Sequence, residues 1–158
     1  DVYKRQLYTH NYELRDILSA LSKKLDLRLT AIHLIGSTLL SSQTSYISAL
    51  LVSLSAQMSI ELPYLNVFSK IDLLEHFKDD LPFKLEYFTQ LEDLSQLLTY
   101  WQYESNMADH PIFAKYKGLQ AELIDLVEDS TIVPFIPVDI NCRESVLRVL
   151  QLADQSNG

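Results

Sequence analysis

Residues 66–74 read Asn-Val-Phe-Ser-Lys-Ile-Asp-Leu-Leu, an apolar run that passes directly into Ser69-Lys70-Ile71-Asp72. Helical patterns precede and follow this run, and two more short apolar runs lie at Leu29 to Ile35 and at Ile132 to Val138. Short apolar runs bounded by turn residues are typical of strands that are buried in a sheet. Because strands that alternate with helices form parallel sheets, the sequence predicts an α/β fold. The Ser-Lys-Ile-Asp segment then lies at the carboxyl end of a strand.

Helices are predicted on both sides of these strands. Apolar residues recur at helical spacing between Asn11 and Leu25, and a second helix before Pro63 places five of them on one face: Ile47, Leu50, Leu51, Leu54 and Met58. Residues from about 74 to 130 are predicted to form a helical insertion, because apolar residues recur there at helical spacing. These residues are Leu91, Leu94, Leu98, Trp101, Tyr116, Leu119, Leu123 and Leu126. The third strand contains Pro134 and Pro137, and proline favours a sheet edge. Asn141 and Glu144 predict a capping box at the last helix.

The composition argues against several classes of protein. The chain has 158 residues, a formal charge of -8 and 13 scattered lysines and arginines. Direct binding of nucleic acid is not expected, because phosphate contacts need clustered cations. The single cysteine, Cys142, excludes an internal disulfide and a multi-cysteine zinc site. No apolar stretch reaches the roughly 20 residues of a membrane span, so a soluble intracellular chain with a protein or nucleotide partner is expected.

The segment Ser69-Lys70-Ile71-Asp72 is suited to recognising guanine. Ligands of open parallel sheets bind outside the carboxyl ends of the strands, and guanine offers two adjacent donors, at N1 and N2, that one carboxylate can accept. Asp72 would accept both, Lys70 would lay its aliphatic stem over the purine, and Ser69 would bracket neighbouring loops by a hydrogen bond. The alternative is structural, because lysine and aspartate at this spacing also occur at the start of ordinary surface helices.

The residues of phosphate chemistry are absent from the sequence. Its glycines are Gly36, Gly118 and Gly158, so no G-x-x-x-x-G-K-S/T phosphate loop can be written. Phosphoryl transfer depends on the amides and the lysine of that loop and on Mg2+. No catalytic residue and no metal ligand is therefore assigned, and the 158 residues alone are expected not to hydrolyse GTP.

Five segments, in order along the chain, carry a resemblance to a known family. They are 25–34 (LDLRLTAIHL), 46–54 (YISALLVSL), 61–63 (ELP), 66–73 (NVFSKIDL) and 133–138 (VPFIPV). Together they resemble the GPN-loop GTPases, most of all the eukaryotic second-paralogue type. The resemblance implies the C-terminal part of a P-loop GTPase domain that lacks the phosphate loop. Residues 1–6 do not resemble the family and are expected to be a non-native leader, and 7–158 a partial GTPase domain.

The resemblance also implies which residues contact the base. Ser69, Lys70 and Asp72 match the motif that reads guanine, with serine where other GTPases commonly have asparagine. A second contact is expected in the loop after the third strand, where the backbone N–H of Val138, or that of Asp139, would face guanine O6. One departure lies at Gly36, where the family usually has an aspartate.

The family further implies a parent protein that binds GTP and GDP and hydrolyses GTP with Mg2+. Its expected partners are a GPN-loop GTPase, as homodimer or heterodimer, and RNA polymerase subunits or assembly factors. RNA polymerase II assembly and nuclear import are the implied roles, with a cytoplasmic location and shuttling to the nucleus.

A competing hypothesis is a non-catalytic interaction module, or a natural short form, that docks a partner through the helical insertion. Five aromatic residues there would form the docking patch: Tyr87, Phe88, Tyr100, Trp101 and Tyr103. The other interpretation of these aromatic residues is that they form the core of the insertion.

Overall fold

The computed structural model describes residues 12–76, 81, 84–91, 94–96, 99, 111–130 and 132–158. The order of elements is α1 (Tyr12–Leu25), β1 (Ala31–Gly36), α2 (Gln43–Ile60), β2 (Tyr64–Ser69), α3 (Leu85–Gln90), α4 (Pro111–Asp129), β3 (Phe135–Pro137) and α5 (Arg143–Ser156). Short 3-10 helices follow two of the strands, at Ser37–Ser41 after β1 and at Ile71–His76 after β2. This alternation confirms the predicted α/β fold. The predicted leader at residues 1–6 lies outside the described residues.

The three strands form one parallel sheet in the order β1-β2-β3. Gly36 at the end of β1 is paired with Ser69 at the end of β2, and Phe68 is paired with Pro137 at the end of β3. β3 lies at an edge of the described sheet, the position that its Pro137 favours. All three strands therefore end at the same side of the sheet.

The two faces of the sheet are covered differently. One face, which we call the closed face, carries His33, Ile35, Phe68 and Phe135. It packs against α2, and the His33 Nδ1 lies 3.1 Å from the Ser53 Oγ of that helix. Ile35, Phe68 and Phe135 are buried there in the main core, and the rings of Phe68 and Phe135 stack with centroids 4.2 Å apart.

The opposite face carries Ile32 and Leu34 of β1, and we call this pair the open face. Leu34 is 65% exposed and Ile32 is 43% exposed. The C-terminal end of α5 meets the chain just before β1, where the Arg28 Nη1 donates to the Gly158 carbonyl at 2.7 Å. Among the described residues, no helix combines the length and the apolar character that crossing a membrane requires.

The start of the predicted insertion is anchored to α2. The Tyr46 hydroxyl donates to the Phe88 carbonyl at 3.0 Å, and the two rings meet edge to face with centroids 5.3 Å apart. Both residues are fully buried, so Phe88 belongs to the core. Tyr100, Trp101 and Tyr103 lie outside the described residues, and the docking patch stays a prediction for them.

The end of the insertion is tied to β2 and to α2 through the two backbone groups of Val133. The Asn66 Nδ2 donates to the Val133 carbonyl at 2.8 Å, and the Val133 N–H donates to the Gln57 Oε1 at 3.1 Å. Asn66 is a fully buried residue of β2. The chain therefore rejoins the sheet at a defined point, two residues before β3.

The core side of α4 is formed by two of its apolar residues. Ile124 and Val127 are buried, whereas Leu119 and Leu126, two of the apolar positions whose spacing indicated a helix here, are exposed. Apolar residues lie on more than one side of α4, so spacing alone did not identify the buried side. Packing against the rest of the core determines it.

Candidate nucleotide-base site

The base motif begins where β2 ends. Ser69 is the last residue of β2, and Lys70 follows in the left-handed conformation with a φ of 61°. The chain then turns into the 3-10 helix at Ile71–His76, and the Leu73 N–H donates to the Lys70 carbonyl at 3.0 Å. Asp72 lies in the first turn of this helix. The turn at Lys70 thus brings the lysine and the aspartate out of the sheet at its carboxyl end.

Lys70 and Asp72 both present their side chains to solvent. Among the described residues, neither side chain has a hydrogen-bond or ion-pair partner. A lysine and a carboxylate that are not engaged with the protein can both interact with a ligand at the end of β2. The structure therefore places the two charged groups of the motif together on the expected side of the sheet.

Two serines join the ends of β1 and β2. The Ser69 Oγ donates to the Ile35 carbonyl of β1 at 3.1 Å, and the Ser37 Oγ donates to the Lys70 carbonyl at 2.6 Å. Ser37 is the first residue of the 3-10 helix after β1, and it is fully buried. No role was predicted for Ser37. The signal in the sequence that could have identified Ser37 is its position directly after the first predicted strand and Gly36.

The loop after β3 lies directly beside the base motif. The Ile71 N–H donates to the Val138 carbonyl at 3.4 Å, and the Val138 N–H donates to the Phe68 carbonyl at 2.8 Å. The second bond occupies the Val138 donor that was expected to face guanine O6. For Asp139, the other candidate, the described residues provide no acceptor for the backbone N–H. The structure thus leaves the donor of Asp139, and not that of Val138, open to a ligand.

The loop from Asp139 to Cys142 is ordered by its own hydrogen bonds. The Asn141 N–H donates to the Asp139 Oδ1 at 2.8 Å, and the Ser145 Oγ donates to the Asp139 carbonyl at 2.6 Å. The predicted capping box of Asn141 and Glu144 is wrong. The N-cap of α5 is Cys142, which makes no side-chain capping bond, because Asp139 organises the turn before the helix.

Gly36 can be compared directly with the aspartate expected at its position. Its φ of -71° is an ordinary value for any residue, and a Cβ built there would lie 3.6 Å from the Thr38 Oγ1, an ordinary contact. The backbone therefore does not require glycine. Gly36 also lines a cavity of about 390 Å³ between β1 and α2, which His33, Leu39 and Thr44 border as well.

Comparison with known proteins identifies the family. Residues 5–158 match the family model described as a conserved hypothetical ATP binding protein. The chain is 35% identical to GPN-loop GTPase 2 of Danio rerio, over 97% of this chain and 47% of the relative. It is 40% identical to GPN-loop GTPase QQT1 of Arabidopsis thaliana, over 97% of this chain and 49% of the relative. The chain belongs to the GPN-loop GTPase family.

The similarity extends to fungal members of the GPN-loop GTPases. GPN-loop GTPase 2 of Saccharomyces cerevisiae is 34% identical over 97% of this chain and 43% of the relative. The chain spans about half the length of the curated relatives it matches. No solved structure matches it. The family resemblance of the sequence, including the second-paralogue type, is confirmed, and the base contacts of Ser69, Lys70, Asp72 and Val138 stay predictions.

Proposed function

We propose that this chain is the guanine-recognising part of a GPN-loop GTPase. The observation that carries the proposal is the contact between the motif after β2 and the loop after β3, through the Ile71 N–H and the Val138 carbonyl. Through it the Asp72 carboxylate, the Lys70 ammonium and the backbone N–H of Asp139, which have no partner among the described residues, lie at one end of a parallel sheet. Ligands of such sheets bind at this end.

Each group has a specific role in the proposed complex. Asp72 accepts from N1–H and N2–H of guanine, and charge-assisted bonds of this kind contribute roughly 1.5–3 kcal/mol each. Adenine lacks that pair of donors and would leave the carboxylate partly unpaired. Lys70 covers the purine face with its aliphatic stem. The Asp139 N–H replaces that of Val138 as the donor to O6.

Hydrolysis belongs to the longer protein in this proposal. No phosphate loop is encoded in the 158 residues, and the described residues contain no cluster of three or more His, Cys, Asp or Glu that could hold a metal ion. No residue among those described is therefore assigned as a ligand of Mg2+. The proposed parent binds GTP and GDP, hydrolyses GTP with Mg2+ and works as a dimer of GPN-loop GTPases.

The proposed cellular role follows from the family resemblance. It is RNA polymerase II assembly and nuclear import, with polymerase subunits or assembly factors as partners. The proposed location is the cytoplasm, with shuttling to the nucleus.

The test of guanine recognition is Asp72→Asn in the chain joined to the N-terminal, phosphate-loop half that the family resemblance implies. The amide presents a donor to the guanine amino group, which is a mismatch, and matches the carbonyl of xanthine. We expect GTP affinity to fall by roughly 2–5 kcal/mol, some thirty- to several-thousand-fold, and preference to move towards XTP. The measurement is competition of GTP, XTP and ATP against a fluorescent nucleotide.

The matched control is Asp125→Asn, which removes an exposed carboxylate from α4 and should leave all three affinities unchanged. An unchanged ratio of GTP to XTP in a folded Asp72→Asn protein would remove Asp72 from the base site. Tighter binding of ATP than of GTP by the unmodified protein would overturn guanine recognition itself.

A further inference from the structure

The conformation of Lys70 needs support from outside the base motif. Lys70 is a non-glycine residue with a φ of 61°, and side chains of L-residues adopt this region only with strain. Strained residues persist where the surrounding structure holds them in place. The direction of the peptide group after Lys70 sets where the next residues, including Asp72, leave the sheet.

The Lys70 carbonyl is held from two sides. The Leu73 N–H donates to it at 3.0 Å from within the motif's own 3-10 turn, and the Ser37 Oγ donates to it at 2.6 Å from the end of β1. Ser37 is 0% exposed, so water does not compete for this bond. The Ser37 hydroxyl is thus a fixed donor that reaches the base motif from a different strand.

The two serine bonds at the strand ends differ in what they hold. The Ser69 Oγ binds the Ile35 carbonyl, inside the paired part of β1. The Ser37 Oγ binds a carbonyl beyond the paired part of β2, where the chain has already left the sheet. Only the second bond can restrain the orientation of the turn that carries Lys70 and Asp72.

We propose that Ser37 is a positioning residue for guanine recognition, because its hydroxyl fixes the left-handed turn from which Lys70 and Asp72 reach the base. This inference rests on the proposed function of the same site. Ser37 does not touch the nucleotide in this arrangement. The Ser37 hydroxyl sets how well the Asp72 carboxylate is aligned with both donors of guanine. Removing this hydroxyl should weaken the hydrogen bond from the N2 amino group to Asp72 most.

The test compares Ser37→Ala with Ser41→Ala, again in the chain joined to its N-terminal half. Ser41 belongs to the same 3-10 helix, but its exposed hydroxyl donates to the Thr38 carbonyl at 2.8 Å, away from the motif. Affinities for GTP and ITP are measured by competition, because ITP lacks only the N2 amino group. We expect Ser37→Ala to lower the GTP-to-ITP ratio about two- to tenfold, the effect of one hydrogen bond, and Ser41→Ala to leave it unchanged.

The ratio of GTP affinity to ITP affinity separates a positioning role from a loss of stability. Partial unfolding would lower the active fraction of the protein and weaken the binding of both nucleotides equally. Equal loss of GTP and ITP affinity, or an unchanged ratio, would overturn the proposal. If Ser37→Ala does not fold, Ser37→Cys keeps the shape of the side chain with a somewhat larger atom at its end and replaces the hydroxyl by a weak donor, and the same fall in the ratio is expected.

Asp72→Asn, measured in parallel, keeps the two proposals distinguishable. A shift towards XTP in Asp72→Asn together with an unchanged GTP-to-ITP ratio in Ser37→Ala would leave guanine recognition standing and overturn the role of Ser37. No shift in Asp72→Asn would overturn the proposed base site and, with it, the role of Ser37.

Discussion

Phe68 on the closed face of the sheet is 0% exposed, whereas Leu34 on the open face is 65% exposed. Val67, the register neighbour of Leu34 on β2, is only 1% exposed. β1 contributes to both faces, with Ile35 buried against α2 and Leu34 in solvent. The opposite face is therefore covered at β2 but not at β1, although Ile35 and Leu34 belong to the same strand. The closed face contributes the stability of the fold, while the open face affects how the protein behaves in solution.

The largest effect should come from Phe68→Ala on the closed face. Phe68 stacks on Phe135 in the core, and removing a buried phenylalanine costs about 3–5 kcal/mol through lost burial and the cavity left behind. Leu34→Ala, on the open face, should cost less than about 1 kcal/mol. Urea unfolding followed by circular dichroism measures both variants. Similar costs for the two would contradict the distinction between the faces.

A smaller effect is expected for Tyr46→Phe, where the insertion meets the core. The variant loses the hydrogen bond from the Tyr46 hydroxyl to the Phe88 carbonyl but keeps the ring contact. At neutral pH this should cost about 1 kcal/mol in the free energy of unfolding, measured by urea unfolding. A loss above about 3 kcal/mol would show that the aromatic packing, and not the hydrogen bond alone, has changed.

The stability difference between Tyr46→Phe and the unmodified protein should also depend on pH. Burial raises the pKa of Tyr46, and the nearby Tyr87 raises it further. Above the ordinary tyrosine pKa of about 10 the unfolded chain releases the Tyr46 proton while the folded chain keeps it, so stability falls as pH rises. Tyr46→Phe has no hydroxyl to ionise, so its stability does not fall for this reason. The difference in free energy of unfolding between the variant and the unmodified protein should therefore shrink above pH 10. A constant deficit between about pH 8 and 11 would contradict a buried neutral tyrosine.

The smallest effect on stability is expected for Leu34→Lys. The side chain already lies in solvent, so the free energy of unfolding should change by about 0.5 kcal/mol or less. Self-association should decrease, because a lysine on an exposed strand opposes edge-to-edge pairing. Sedimentation velocity measures the change, with Met58→Lys, at an exposed position near the C-terminal end of α2, as the matched control. Unchanged self-association of Leu34→Lys would show that the open face is not where copies of the chain meet.

The sequence was most informative where burial follows from a local pattern. The apolar runs predicted β1, β2 and β3 and their parallel arrangement. The signal is clearest for β2, which is buried on both sides, because such a strand has few polar positions. It was less informative for α4, where Ile124 and Val127, and not Leu119 and Leu126, face the core. That choice depends on which neighbour the helix packs against, and neighbours distant in sequence leave no periodic signal.

The candidate site shows the same limit. The spacing of Ser69, Lys70 and Asp72 is visible in the sequence, since all three lie in one turn. The bond from the Ser37 Oγ to the Lys70 carbonyl and the occupation of the Val138 N–H by Phe68 depend on strand register. Register becomes known only when the sheet is assembled, so these contacts had to be observed.

The hydrogen bond between Asn66 and Val133 affects how much the helical insertion can vary in length. Asn66 and Val133 are 67 residues apart, and their hydrogen bond closes the loop that contains the insertion. The entropy of closing a loop grows with the logarithm of its length, so doubling such a loop costs only about 0.6 kcal/mol. Residues added between α3 and α4 would therefore weaken the pairing of β2 with β3 very little. The insertion can diverge in length while the strand ends that hold the base motif keep their geometry.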